Sequence, residues 1–216
     1  MGDLVGSEIA QSVEVLHARF NAEIEVCNAV FKRRLVSPLT ITLGDEFQGL
    51  AQSLGDALDI VRTMRLDMLE ARIDCRFAIG AVDLKTKVNT DRAWNMMGRG
   101  LARTRERLNE KRAETRYRFA LEDHPAVEVT TEALGASLTA IEERWTEQQL
   151  EDIAATIAGM SAKEIAERRN VSVHSVYKVR SSGELDLYLL QWGAIAEALS
   201  YIDQAYREAS CQPAST

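Results

Sequence analysis

The order of apolar patterns along the chain constrains its fold more than any other feature. Over residues 1–122, short runs of alternating or β-branched apolar residues take turns with segments that repeat apolar residues every three or four positions. The predicted strands lie near 4–5, 39–43, 47–51, 73–82 and 116–121, and the predicted helices near 7–30, 53–71 and 92–114. From residue 145 onward the pattern is helical. The sequence therefore predicts an α+β protein in two parts.

The first part has the β-α-β-β-α-β order that is typical of a ferredoxin-like domain. We predict this domain over 1–122, with Gly44-Asp45 as the turn of a hairpin and 116–121 as an edge strand. The remaining chain is divided into a linker and helix over 123–144, an all-α helix-turn-helix domain over 145–205 and a flexible tail over 206–216. Its helices are predicted at 130–143, 146–158, 161–169, 172–181 and from 185 onward.

The charge balance restricts the partners of the protein. A net charge of −7 over 216 residues opposes binding to a polyanion. The charge is unevenly distributed, because residues 1–120 hold 19 Lys and Arg against 17 Asp and Glu, whereas residues 121–216 hold 7 against 16. Within the acidic part, residues 161–182 carry five basic side chains against two acidic ones. This local basic surface remains compatible with nucleic acid.

Targeting signals and cysteine usage both indicate the cytoplasm. No stretch of about 18 uninterrupted apolar residues occurs, and the first residues lack the basic and apolar regions of a signal peptide. We therefore expect a cytoplasmic protein with no membrane partner. Cys27, Cys75 and Cys211 lie far apart with no CxxC pair, so buried or idle thiols are favoured over a zinc site.

The strongest local signal is the segment 161–180, which predicts two helices joined by a turn. Ser161 and Glu164 form a predicted capping box at the start of the first helix. Ala166 is small enough for the two helices to cross closely, and Asn170-Val171 supplies the turn with an apolar plug. The segment therefore has the features of a helix-turn-helix.

The second helix of this pair is predicted to present its polar side to DNA. Ser172 is its expected N-cap, and Val176 and Val179 pack inward. The expected DNA-binding residues are Lys163, His174, Ser175, Tyr177, Lys178 and Arg180. The pattern Ile-Ala-x-x-x-x-Val-Ser-x-x-Ser-Val resembles the helix-turn-helix of the LuxR type and of sigma-factor region 4, which implies DNA as a partner. The alternative is a dimerisation or scaffolding unit, which Glu167 and the acidic pair Glu142-Glu143 favour.

A second pattern places aspartates beside glycines. Asp3 lies at an end of the first predicted strand and Asp45 lies at the hairpin turn, so the two carboxylates converge if these strands are neighbours. Such a pair, with glycines that let phosphate approach, is typical of a Mg²⁺ site for a nucleoside triphosphate. The neighbouring residues Gly6, Ser7 and Gly44 are the expected phosphate contacts. Alternatively, Asp45 caps a turn and Asp3 is solvated.

Four blocks in the first 115 residues resemble the SatD family. They are Asp3-Leu4-Val5-Gly6-Ser7, Gly44-Asp45-Glu46-Phe47-Gln48-Gly49, Arg76-Phe77-Ala78-Ile79-Gly80 and 98–105. The resemblance implies a bacterial protein with a link to stress or acid tolerance. The same blocks are similar to class III nucleotidyl cyclases and to GGDEF domains, which implies a cyclase-type palm with Asp3 and Asp45 as metal ligands. Glu46 matches the glutamate of GGDEF and is the third expected ligand.

Two departures from the cyclase pattern weaken the expectation of catalysis. Cyclases carry an Asn and an Arg on the helix after a Gly-Asp block, whereas this chain has Ala102 and Glu106 at those spacings, with Arg103 or Arg105 as substitutes. The chain starts at Met1, so either the first strand continues upstream or the aspartate site is weakly held. We therefore expect nucleotide and Mg²⁺ binding without turnover.

The segment 99–118 is basic. It holds eight Lys and Arg against three Glu, and Glu-to-Lys/Arg pairs at helical spacing explain most of it as a solvated helix face. Arg99 and Arg103, one turn apart beside Gly100, are the expected phosphate ligands.

These patterns leave three hypotheses for the function. The main one is a DNA-binding regulator with a nucleotide- and Mg²⁺-binding palm. The others are a metal-dependent enzyme acting on nucleoside triphosphates and a non-catalytic interaction scaffold. A homodimer is expected through the apolar stripe of the last helix, or else this stripe belongs to the core. The stripe consists of Leu185, Leu189, Trp192, Ile195 and Leu199.

Overall fold

A computed structural model describes residues 1–6, 12–110 and 115–211 as an α+β fold, as predicted. The strands are β1 (Gly2–Leu4), β2 (Leu35–Leu43), β3 (Glu46–Ala51), β4 (Cys75–Gly80), β5 (Asp83–Leu84), β6 (Gly98–Arg99) and β7 (Tyr117–Ala120). The helices are α1 (Val13–Val30), α2 (Leu54–Glu70), α3 (Leu101–Asn109), α4 (Pro125–Glu142), α5 (Glu147–Ile157), α6 (Ala162–Arg169), α7 (Val173–Ser182) and α8 (Leu185–Cys211). Within the described ranges, no helix is both long and apolar enough to cross a membrane.

The central strand of the large sheet is β1, and the strand order is β2-β3-β1-β4-β7. β1 runs antiparallel to β3 and β4, β2 runs antiparallel to β3, and β7 runs parallel to β4. β3, β4 and β7 therefore end at one end of the sheet, which we call the upper end. β1 ends at the opposite, lower end, beside the turn Gly44-Asp45 that joins β2 to β3. The hairpin and its turn agree with the prediction from the sequence.

An aromatic row holds the core on one face of the sheet. Neighbouring ring centroids lie 6.0 Å apart for Phe20 and Phe47, 6.2 Å for Phe47 and Phe77, 6.4 Å for Phe77 and Tyr117, and 5.2 Å for Tyr117 and Trp192. These residues belong to α1, β3, β4, β7 and α8 in turn. One continuous core therefore extends from the first helix to the last helix, across the segment 123–144 that the sequence predicts as a linker and helix.

The other face of the sheet is covered by α3. A Cβ atom on Gly80 would lie 2.0 Å from Oγ1 of Thr104, so the absence of a side chain lets α3 approach β4 closely. Thr104 and Leu108 are both buried by this packing. The rest of this face, over β2 and β3, is reached by the connection between β5 and β6.

A buried ionic network ties the helices to the sheet. Arg65 of α2 is 2% exposed, and its Nε donates to a carboxylate oxygen of Glu142 of α4 at 2.9 Å. One Nη of Arg65 donates to Asp74 at 2.6 Å and to the carbonyl oxygen of Cys75 at 2.9 Å. The other oxygen of Glu142 accepts hydrogen bonds from the hydroxyls of Tyr117 and Tyr188. Because α2, α4, β7 and α8 all contribute, this network fixes their relative positions.

The outer edge of β7 is closed by side chains of α4. The backbone N–H of Phe119 donates to Glu132 at 3.2 Å, and that of Leu121 donates to Glu128 at 2.7 Å. Edge strands expose unpaired backbone groups, and these two glutamates satisfy such groups on β7. β7 is thus buried although it is the last strand of the sheet.

Helices α5, α6 and α7 form a second, smaller core. Its buried members are small or β-branched residues: Ala155, Ala162, Ile165, Ala166 and Val176. Asp152 of α5 is fully buried and accepts a hydrogen bond from Nη1 of Arg169 at 2.5 Å. This ion pair joins α5 to the end of α6, so Arg169 belongs to the interior contacts of the unit.

Three predicted elements differ from the structure. The helix predicted over 92–114 begins only with α3 at Leu101, because Gly98 pairs in β6 and Gly100 adopts φ 88° beside the carbonyl oxygen of Ala81; residues 111–114 lie outside the described residues. The helix predicted at 130–143 is α4, which starts earlier, at Pro125, where the missing N–H of proline costs nothing. Ser7, the expected cap of the first helix, lies outside the described residues, and α1 begins after Ser12, whose hydroxyl accepts from the N–H of Val15.

The apolar stripe of α8 proves to be a core face. Leu185, Trp192, Ile195 and Leu199 are buried, whereas Leu189 is exposed. The stripe is therefore covered within the chain except at Leu189, and its buried residues do not offer the surface that we expected a second copy to use. The homodimer stays a prediction, and the apolar stripe of α8 no longer supports it.

Candidate functional site

The lower end of the sheet brings together the three expected metal ligands. Asp3 of β1 stands directly opposite Glu46 of β3, and the N–H of Leu4 donates to the carbonyl oxygen of Asp45 at 3.0 Å. Gly44 and Gly6 lie at the same end, Gly6 with φ 72°, and Ser7 lies outside the described residues. The convergence that we inferred from the sequence is thus present in the backbone.

The side chain of Asp3 is already neutralised. It is buried and forms a salt bridge with Arg76 of β4, its other cross-strand neighbour. In the described part of the chain, no group of three or more His, Cys, Asp or Glu side chains is arranged to hold a metal ion. The residues as arranged therefore do not fit a Mg²⁺ ion, and the expected cofactor stays a prediction.

The expected phosphate ligands Arg99 and Arg103 lie away from these aspartates. Arg99 belongs to β6 beside the upper end of the sheet and donates to Glu122 at 3.2 Å and to Asp123 at 2.6 Å. The hydrogen bond with Asp123 and, to a smaller extent, the one with Glu122 raise the pKa of Arg99 above its ordinary value. Arg103 forms salt bridges with Glu106 at 3.0 Å and Glu128 at 3.5 Å. The two arginines are not brought together with the Gly-Asp turn.

A large cavity opens at the upper end of the sheet. It measures about 920 Å³ and reaches from the paired Arg99 down to core residues of α2. Asp203 of α8 closes part of it by accepting hydrogen bonds from the N–H groups of Leu54 and Gly55, at 2.9 and 3.1 Å. The first N–H groups of a helix have no partner within the helix and can bind an anion. At the start of α2, those of Leu54 and Gly55 already bind the carboxylate of Asp203.

Local chemistry at the helix ends builds the α6–α7 unit as expected. Ser161 and Glu164 form a complete capping box, and Ser172 caps α7 by accepting from the N–H of Ser175 at 3.2 Å. Asn170 ends α6 in the left-handed conformation with φ 53°, which Asn tolerates better than most residues. Val176 is fully buried against α6. These contacts fix how α7 is presented to solvent.

Most of the expected DNA-binding residues form an exposed face on α7. His174, Tyr177 and Lys178 are exposed, and Tyr177 and Lys178 follow His174 by three and four positions, which places them on its side of the helix. Ser175 is only partly exposed, and its hydroxyl pairs with that of Ser172 at 3.0 Å. Lys163 of α6 is exposed, and its Nζ lies 3.8 Å from a carboxylate oxygen of Glu167. The helix therefore carries a polar face that is not used in packing.

Arg180 lies near the end of α7, is partly buried, and has guanidinium nitrogens without a partner among the described residues. Its Nε and one Nη are shielded from water, and among the described residues neither has a hydrogen-bond acceptor. The guanidinium carbon lies 5.8 Å from the centre of the Tyr177 ring, within the range of a cation–π contact. An arginine with unsatisfied donors gains most when an anion approaches.

Of the acidic residues that favoured a scaffolding role, Glu142 is buried, whereas Glu143 and Glu167 are exposed. Glu142 is paired with Arg65. Glu164 is used in its capping box, and its hydrogen bonds with Ser161 lower its pKa. On the basic side, Arg169 is neutralised by Asp152. The number of unpaired charges, both positive and negative, is therefore smaller in this part of the protein than the sequence alone suggests.

A comparison with family models decides the affiliation of the chain. The model of the SatD family matches residues 1–199, which includes the sheet, α6, α7 and most of α8. The chain belongs to the SatD family. No curated protein and no solved structure shows significant similarity to this SatD-family chain.

The sequence did not reveal the ionic network of this SatD-family protein. Arg65 and Glu142 are separated by 77 positions, and each sits in a helix where its charge resembles an ordinary surface residue. One signal was available: Arg65 lies at helical spacing between Val61 and Met68, on a face of the helix that is otherwise apolar. A lone charge on an apolar face indicates a buried partner elsewhere in the chain.

Proposed function

We propose that this SatD-family protein is a DNA-binding transcriptional regulator whose α6–α7 unit acts as a helix-turn-helix. The observation that carries the proposal is the solvent-facing side of α7, where His174, Tyr177 and Lys178 are exposed beside the partly buried Arg180 while Val176 anchors the helix. α7 enters the major groove, and its side chains contact base edges and the flanking phosphates.

The start of α7 suits a contact with phosphate. Its first turn contains no acidic residue, so the N–H groups and the helix dipole favour a negative charge there. Lys163 of the preceding helix is exposed and adds a further cation to the α6–α7 unit. Binding through so few cations must be weak, and its salt slope is set by the small number of phosphate contacts.

The strand order supports a palm of the ferredoxin type beneath this unit. β1 lies between β3 and β4 and antiparallel to both, and β2 flanks β3, which is the arrangement of two interlocked βαβ units. We propose that the palm serves regulation without turnover. The proposal includes no metal-dependent step, because Arg76 pairs with Asp3.

The proposal is tested by fluorescence anisotropy with a labelled duplex of random sequence, titrated between about 50 and 200 mM KCl. The wild-type protein should bind at low salt. The variant Lys178→Ala plus Arg180→Ala should bind more weakly, and its salt slope should fall by up to about 2, because each lost phosphate contact removes about 0.9.

A matched control separates this effect from a change in net charge. Lys32→Ala plus Arg33→Ala removes two exposed cations at the end of α1, far along the chain from α7, and should leave DNA binding unchanged. Equal losses in the two double variants, or no binding at the lowest salt, would refute the proposal and favour a scaffolding role.

A further inference from the structure

A second cavity lies on the α3 face of the sheet. It measures about 460 Å³ and is bounded by the outer side of β3, by α3 and by the segment 93–96. Binding sites for small molecules span about 300–1,000 Å³. The cavity is therefore large enough for a molecule of the size of a mononucleotide or smaller.

Hydrogen bonds hold the segment 93–96 in place over the strands. The N–H of Ala93 donates to the hydroxyl of Thr40 at 3.0 Å, and its carbonyl oxygen accepts from the side-chain amide of Gln48. The hydroxyl of Ser37 donates to the carbonyl oxygen of Asn89 at 2.5 Å. These contacts make the roof of the cavity a preformed wall, which lowers the entropic cost of binding.

The charge of the cavity comes from one arginine. Arg105 lines it and donates to Oε1 of Gln48 at 3.2 Å, and within the described residues it has no carboxylate partner. Its neighbours on α3, Arg103 and Arg107, are each paired with glutamates. Among the described residues that line the cavity, none is acidic. An anionic group fits here, because it meets a cation with free donors.

The remaining walls are apolar and include an aromatic ring at the rim. Trp94 is 49% exposed, although a tryptophan that serves only packing is usually well covered. Leu50, Met96 and Leu101 supply the other apolar walls. Asn95, next to Trp94, holds a left-handed backbone with φ 55°, a conformation that recurs where a loop clamps a ligand.

We propose that this cavity binds a small planar aromatic molecule that carries one anionic group. The ring lies against Trp94, and the anion, a carboxylate or a phosphate, is held by Arg105. The site is independent of the DNA-binding face, because it is built from β2, β3, the 85–97 connection and α3. It also lies apart from the Asp3–Arg76 pair at the lower end of the sheet.

Isothermal titration calorimetry on the full chain tests the site with four probes. AMP and indole-3-carboxylate combine a planar ring with an anion, whereas adenosine lacks the anion and ribose 5-phosphate lacks the ring. At least one of the first two should bind, and the two single-feature probes should bind at least about tenfold more weakly, since each lacks one of the two interactions. Displacement of the bound probe by excess inorganic phosphate or by excess acetate identifies the anion as phosphate or carboxylate.

Two variants and a control make the test specific. Arg105→Gln should weaken the binding probe by about tenfold or more, and Trp94→Ala, at an exposed position that leaves the fold intact, should weaken it similarly. Lys87→Gln removes an exposed cation of the same connection outside the cavity and should not change the affinity. Absence of binding by both ring-bearing anions, or undiminished binding in Trp94→Ala, would overturn the proposal.

Discussion

Removing either partner of the buried Arg65–Glu142 pair should destabilise the whole fold. The substitution Glu142→Leu leaves Nε of Arg65 and the hydroxyls of Tyr117 and Tyr188 without their acceptor in a dry interior. Breaking one side of a buried ion pair costs about 3–5 kcal/mol, so we expect a loss near 4 kcal/mol of unfolding free energy. For a chain of this length, that loss corresponds to a decrease in Tm of roughly 8–16 °C.

The interaction can be isolated with a double-mutant cycle in urea. Arg65→Met should cost a similar amount, because it strands the fully buried carboxylate of Glu142. The double variant should lose much less than the sum of the single losses, with a coupling of at least about 2 kcal/mol, since no charge remains buried without a partner. Circular dichroism and Trp192 fluorescence report the transition. Additive losses, or single losses below about 1 kcal/mol, would refute the assignment of this network as a buried, mutually dependent pair.

Three further predictions concern single sites. Burial raises the pKa of Asp67, and burial together with the charge of Asp67 raises that of Glu23; the folded state therefore holds these protons more tightly than the unfolded state. Asp67→Asn should therefore increase the unfolding free energy, measured in urea, at pH 7. This gain should vanish as the pH falls toward about 4, where the carboxyl group is protonated in both states. An equal gain at every pH would contradict the prediction. Burial raises the pKa of Cys75 to about 12, so peptide mapping should find this thiol unmodified by iodoacetamide at about pH 8 in the native protein and modified in urea; modification of the native thiol would count against this burial. Asn170→Val should lower the unfolding free energy by about 1–2 kcal/mol while Asn170→Gly is nearly neutral, because the left-handed backbone disfavours a β-branched residue; equal effects would argue against the observed cap.

The parts of the fold that depend on local chemistry could be predicted from the sequence. Ser161 and Ser172 act as helix caps, as expected, because capping involves residues only two or three positions apart. The Gly44-Asp45 hairpin follows for the same reason. These features recur wherever the same few residues occur, so a single sequence is enough to find them.

The errors concern features that depend on distant residues. The segment 92–100 has the composition of a helix, but Gly100 approaches the carbonyl oxygen of Ala81 too closely for a side chain, and this contact appears only in the folded chain. Arg99 and Arg103 looked like free phosphate ligands because their partners Glu122 and Glu128 come from later elements. At the candidate site, the pattern of α7 was visible in the sequence, whereas the neutralisation of Asp3 by Arg76 was not.

The covering of β7 by α4 has a consequence for the order in which the chain is made. Glu128 and Glu132, which satisfy the outer N–H groups of β7, leave the ribosome only after the strand itself. Until they arrive, the nascent chain presents an open edge beside Phe119, a row of donors and acceptors that another unfinished chain could extend. A fragment that stops at residue 122 would keep this edge open permanently. Although it contains every strand of the sheet, such a fragment should self-associate, and the safe unit of expression includes α4.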